Sequence, residues 1–150
     1  MKKVIPLLLL FVFIVSCDKD NDDILLSKAE SNALNEMVKQ GEWKVSSFVI
    51  NGEDKTAYYS DYFFKFKENN NISAENNSEE MIGTWRINND MGGEFDSYYD
   101  VDFALYFNSQ GKFGELTSEY DVKKATNSKI ELNKMTVDGE LASSLTFSKN

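Results

Sequence analysis

The chain has no histidine, one cysteine (Cys17) and one proline (Pro6) in 150 residues. Without histidine and with a single thiol, there is no intrachain disulfide, no Cys/His zinc site and no Ser-His or Cys-His catalytic pair. Positive charge is also scarce. Sixteen Lys+Arg stand against 25 Asp+Glu, a formal net charge of −9. Phosphate backbones call for a basic footprint, so the acidic balance argues against nucleic acid as a partner. No cofactor is implied. The length suits one domain.

Long apolar runs are limited to one, Val4 to Val15, broken only by Pro6 and preceded by Lys2 and Lys3. About twelve residues at 1.5 Å each span roughly 18 Å, well short of a hydrocarbon core of about 30 Å. The run therefore reads as a signal-peptide core rather than a membrane-spanning helix. It ends Ile14-Val15-Ser16-Cys17, which resembles the bacterial lipobox. The resemblance implies diacylglycerol transfer to the Cys17 thiol, cleavage before it and acylation of the new terminus. Such a multiply acylated end is a stable membrane anchor, where one chain holds only marginally.

Asp18-Lys19-Asp20-Asn21-Asp22-Asp23 follows, rich in acid and free of apolar residues. It reads as a solvated tether. It also resembles the acidic stretch that sends Bacteroidota lipoproteins to the outer face of the outer membrane. The rival reading is the retention signal that Asp at the second position provides in some enterobacteria. A calcium loop is disfavoured, because no central Gly or closing Glu stands at the required spacing. The expected organisation is a signal peptide over 1–16, an acidic tether over 17–23 and a folded domain over 24–150.

Ile24 to Gln40 has helical spacing, with Leu26, Ala29, Ala33, Leu34, Met37 and Val38 on one side. Ser27 and Glu30 have capping-box form, and Gly41 sits where a C-terminal cap belongs. From Trp43 the period changes to two. Trp43-Val45-Ser47-Val49, Tyr58-Ser60-Tyr62-Phe64-Phe66, Met81-Gly83-Trp85-Ile87, Val101-Phe103-Leu105-Phe107 and Leu141-Leu145-Phe147 each share a face. Short strands near Ile72, Tyr120 and Ile130 complete about eight, separated by Asn/Gly/Ser turns. The pattern predicts an antiparallel all-β sandwich or barrel after one helix, and local periodicity does not choose between the two.

Gly41-Glu42-Trp43 after a short helix resembles the Gly-x-Trp motif of lipocalins and their calycin relatives. Thr56, Tyr62-Phe63-Phe64-Lys65-Phe66, Gly83-Thr84-Trp85 and Leu145-Thr146-Phe147 resemble the lipocalin-like lipoproteins of Bacteroidota. The resemblance implies an all-β, antiparallel eight-stranded lipocalin-like β-barrel, preceded by one N-terminal helix, with Trp43 closing its floor. One departure stands out. Lipocalins place an Arg near the last strand to cap this Trp, and here that place holds only Lys149.

Catalysis would have to rest on carboxylates, hydroxyls or lysines. The densest acidic stretch, Asp90, Glu94, Asp96, Asp100 and Asp102, suits a solvated loop, a carboxylate pair or a calcium site. No spacing places a pair of these carboxylates on one inward face, so no catalytic residue is assigned and an enzyme is not expected. Tyr58, Tyr59, Tyr62, Tyr98 and Tyr99 offer flat rings with polar tips, suited to sugar or peptide contacts at a barrel mouth. Tyr58, Tyr62 and Trp85 are the expected ligand-binding residues. The many inward rings predict a packed interior, with any ligand site small and at the Tyr58/Tyr62 end.

The expected function is a lipid-anchored, surface-exposed, outer-membrane binding module for a small apolar or glycan ligand. The alternative is a structural or protein-interaction lipoprotein with a packed barrel and no ligand. The partners are thus the membrane, through the anchor, a small-molecule or glycan ligand, and a protein at the cell surface.

Overall fold

A computed structural model describes residues 19–89 and 101–149. The signal segment 1–16, Cys17, and Asp90, Glu94, Asp96, Tyr98, Tyr99 and Asp100 of the acidic stretch lie outside the described residues. The elements run α1 (Lys19–Val38), β1 (Lys44–Ile50), β2 (Glu53–Asp54), a 3-10 turn (Thr56–Tyr59), β3 (Phe63–Phe66), β4 (Asn71–Glu75) and β5 (Glu80–Asn89). They continue with β6 (Val101–Phe107), α2 (Lys112–Glu115), β7 (Ser118–Thr126), β8 (Lys129–Met135) and β9 (Leu141–Ser148). The helix α1 begins at Lys19, so 19–23 of the acidic run is helical, and Ser27 lies inside the helix rather than at its start.

Among the described residues, nine strands form one antiparallel sheet in the order β2-β1-β9-β8-β7-β6-β5-β4-β3. The sheet curls into a half-barrel, which bears out the all-β antiparallel expectation but not the closed eight-stranded barrel. The reason lies at the seam between β1 and β3. Trp43 and Phe64 exchange two backbone hydrogen bonds, of 2.9 and 2.7 Å, in an isolated bridge. The pairing stops there, so the sheet stays open beside that single contact. Side chains reinforce the join: Lys44 lies 4.4 Å from the Phe63 ring, and Lys65 reaches Glu42 at 3.0 Å and also pairs with Glu75.

Alternation explains most of the core. Val101, Phe103, Leu105 and Phe107 on β6, Trp85 and Ile87 on β5, and Leu145 and Phe147 on β9 are all buried. Phe66 sits at the centre, edge-on to Trp85, Phe103 and Phe147 at 5.5 to 5.7 Å. Edge-to-face contacts of this kind are the favoured ring geometry. Gly83 is required here. A Cβ would stand 2.5 Å from the Tyr106 carbonyl oxygen and 2.7 Å from the Phe107 ring, so only a bare backbone fits.

Both ends of the half-barrel are covered. Leu34 and Val38 of α1 join the core at one end, beside Trp43. Ala29 and Ala33, expected on the packed side of the helix, are exposed, and Ser31 takes the buried place. The Trp43 indole donates to the Val38 carbonyl at 2.8 Å, and Lys149 Nζ lies 4.4 Å from the Trp43 ring centre. The cation near the last strand that lies over this ring is thus a lysine. Gly41 makes the turn between α1 and Trp43 at φ +86°, a conformation unfavourable for other residues. At the other end, Tyr59, Tyr62, Phe107 and Phe113 form a lid of rings, with Phe113 at 5.1 to 6.1 Å from the other three.

Candidate functional site

Of the expected site residues, one is exposed and two are buried. Tyr58 is 53 % exposed on the 3-10 turn, where Lys55 Nζ lies 5.4 Å from its ring. Tyr62 is buried, and its hydroxyl donates to Glu79 while accepting from Lys112 Nζ at 2.6 Å. Trp85 is also buried, with its indole donating to the Lys67 carbonyl at 3.1 Å. Two of the three therefore spend their polar tips inside the fold.

The tyrosine ladder fails as a strand because Thr56–Tyr59 coils into the 3-10 turn before β3 begins at Phe63. Coiling exchanges the two faces. Tyr58 and Ser60, expected inward, are exposed, while Tyr59, expected on the outside, is fully buried. The Tyr59 hydroxyl donates to the Lys112 carbonyl, tying the turn to α2. Burial, with the nearby Glu115 charge, pushes the Tyr59 phenol above its ordinary range. Burial does the same to Tyr120, which donates to the Leu116 carbonyl at 3.0 Å.

Beside this lid, where β1 and β3 part, lies an outward hollow of about 510 Å³. Lys44, Ser60, Asp61, Phe63, Glu75 and the Asn76-Asn77-Ser78 turn line it. Phe63 alternates outward from buried Phe64, and among the described residues its half-buried ring is the one aromatic surface of the hollow. The turn is pre-formed: Asn76 Oδ1 accepts the N–H groups of Ser78 and Glu79 at 2.8 and 2.9 Å. That bond occupies the Asn76 oxygen and leaves Asn77 and Ser78 projecting as exposed polar groups. Hydrogen bonds from Lys65 to Glu75 and Glu42 hold the ammonium charged, with its pKa pushed up to about 12.

The signal missed in the sequence was this turn. Asn76-Asn77-Ser78 reads as connection only, yet it forms the rim of the hollow opposite Ser60 and Asp61. The lining combines one ring with hydroxyl, amide, carboxylate and ammonium groups. It can bind a polyhydroxylated ligand through many weak polar contacts around one flat apolar surface.

A second hollow, of about 440 Å³, lies between α1 and β7, lined by Leu34, Met37, Val101 and Val122 among others. Among the described residues there is no group of three or more His, Cys, Asp or Glu arranged to hold a metal ion. Among them, too, no helix is long and apolar enough to cross a membrane. No protein-family model matches the chain, and no curated protein matches it either.

Proposed function

We propose that this chain is a lipid-anchored, lipocalin-related surface lipoprotein of Bacteroidota type that binds glycan on the outside of its half-barrel. The anchor reading rests on Ile14-Val15-Ser16-Cys17, and the outer-face reading on the acidic residues that follow. The lipocalin relationship rests on Gly41-Glu42-Trp43 and draws support from the Lys149 ammonium over the Trp43 ring. The binding role is non-catalytic.

One observation carries the choice of ligand. The interior is filled with rings, whereas the hollow at the open seam is polar around Phe63. An engulfed apolar molecule needs a dry cavity; a sugar needs a flat ring and a rim of hydrogen-bonding groups. Screening the purified full chain against a panel of neutral oligosaccharides tests this. At least one should bind, and Phe63→Ala and Asn77→Ala should each weaken it five-fold or more without loss of fold. A panel that shows no binding leaves the ligand-free interaction lipoprotein as the better reading.

A further inference from the structure

A separate hollow of about 310 Å³ lies on the outer face of β5 and β6, at the lower end of the size range of small-molecule sites. Its lining is Asn70, Thr84, Trp85, Arg86, Ala104 and Tyr106. The sheet register assembles it. Thr84 pairs with Tyr106, and Arg86 pairs with Ala104, so ring and guanidinium stand on adjacent rows of one outward face. Ala104 is short and leaves the floor between them open. Asn70, at the β3–β4 turn, supplies a polar wall and is held against β5 by the Trp85 N–H donating to its carbonyl at 2.9 Å.

Two features set this hollow apart. Tyr106 is 55 % exposed, so its ring is open to a ligand on this outward face. Arg86 is the sole arginine of the sequence, in a chain with net charge −9, and among the described residues no carboxylate lines the hollow around it. With the Asn88 amide turned to satisfy both groups, Arg86 Nε donates to the Asn88 oxygen at 2.8 Å. That contact fixes the plane of the guanidinium while its two terminal nitrogens form the fork that matches a carboxylate. Glu119 lies across Ala104 from Arg86, and Asp102 is the next outward position along β6. Glu119 makes the β7 side negative, so an acidic group approaches Arg86 from the Tyr106 side.

We propose that this face binds a carboxylate-bearing sugar of an acidic polysaccharide, with the pyranose stacked on Tyr106 and its carboxylate held by Arg86. The site shares no lining residue with the seam hollow and stands or falls independently of it.

The test titrates the purified full chain with oligogalacturonate, oligoglucuronate and their methyl esters, followed by calorimetry. At least one free acid should bind, and its ester, identical but for the masked charge, at least ten-fold more weakly. Arg86→Gln should cost ten-fold or more, and Tyr106→Ala five-fold or more. Both positions are exposed, so circular dichroism and Tm should stay unchanged. Phe63→Ala should leave the affinity intact. Absence of binding by both acids, equal binding of acid and ester, or loss on Phe63→Ala rather than Arg86→Gln would overturn the proposal. So would hexaglutamate binding as tightly as the sugar acids, since charge alone would then suffice.

Discussion

Trp43 joins three parts of the molecule. Its backbone bridges the seam to Phe64, its indole holds the end of α1 through Val38, and Lys149 covers its ring. Truncation removes a fully buried ring and leaves a cavity where three elements meet, so Trp43→Ala should cost about 3–5 kcal/mol in urea unfolding. The control is an exposed ring such as Tyr58. Tyr58→Ala should cost under about 0.5 kcal/mol, as substitutions of surface side chains usually do. Lys149→Ala should cost about 0.5–1 kcal/mol, the scale of a cation over a ring. Lys149→Arg should recover that loss, since a guanidinium stacks on an indole as well or better. A Lys149→Arg protein as unstable as Lys149→Ala would show that the ammonium over the ring contributes nothing. Titration gives a second test among the residues. Tyr59 and Tyr120 have phenols raised by burial, so they hold their protons in the fold at pH values where an unfolded phenol ionises. Their contribution to stability is complete below pH 10 and is lost as the pH rises above it. Absorbance at 295 nm should therefore show part of the phenolate signal appearing only with alkaline unfolding. A full signal in the folded protein would contradict the buried placement.

The elements show which parts of the fold were legible beforehand. Strands with an unbroken alternation came through: β6 and β5 bury the expected residues because each has one face on the core and regular pairing along its length. Failures occurred where geometry breaks the period. A bulge between Val45 and Ser47 shifts β1 by one residue, so Phe48 turns inward where Ser47 and Val49 were expected. Leu141 is 54 % exposed at the end of β9, and Ser143 takes the inward position instead. The four-residue α2 is too short to leave any helical periodicity, yet it delivers Phe113 and Lys112 to the lid. The open seam was equally invisible, because it depends on where two strands distant in sequence stop pairing. Gly83 provides the test at this scale. Gly83→Ala places a methyl against the Tyr106 carbonyl and the Phe107 ring, and β5 and β6 must part to admit it. The overpacking should cost about 1–3 kcal/mol. Unchanged stability would show that β5 and β6 are less closely packed than the register implies.

Over the described residues the molecule is a half-barrel with a filled interior, covered ends and its polar hollows on the outside. That arrangement suits the proposed role, a tethered module that would meet its ligand at the surface rather than carry it within. The tether has its own test. Cys17→Ser should abolish labelling by a fatty-acid probe and release the protein from the membrane fraction, because the sequence holds no other thiol. Labelling that persists in the mutant would refute the anchor. Recognition on the outer face is the central claim, and an NMR titration tests it most directly. The full chain would be followed against the oligosaccharide that binds it and, separately, against a long-chain fatty acid. The sugar should shift the resonances of Asp61, Phe63, Asn77 and Ser78 while those of Phe66, Phe103 and Phe147 stay still, and the fatty acid should leave all of these unmoved. Saturable shifts at Phe66, Phe103 and Phe147 on adding the fatty acid would mean that the interior opens to hold it, and would contradict the account.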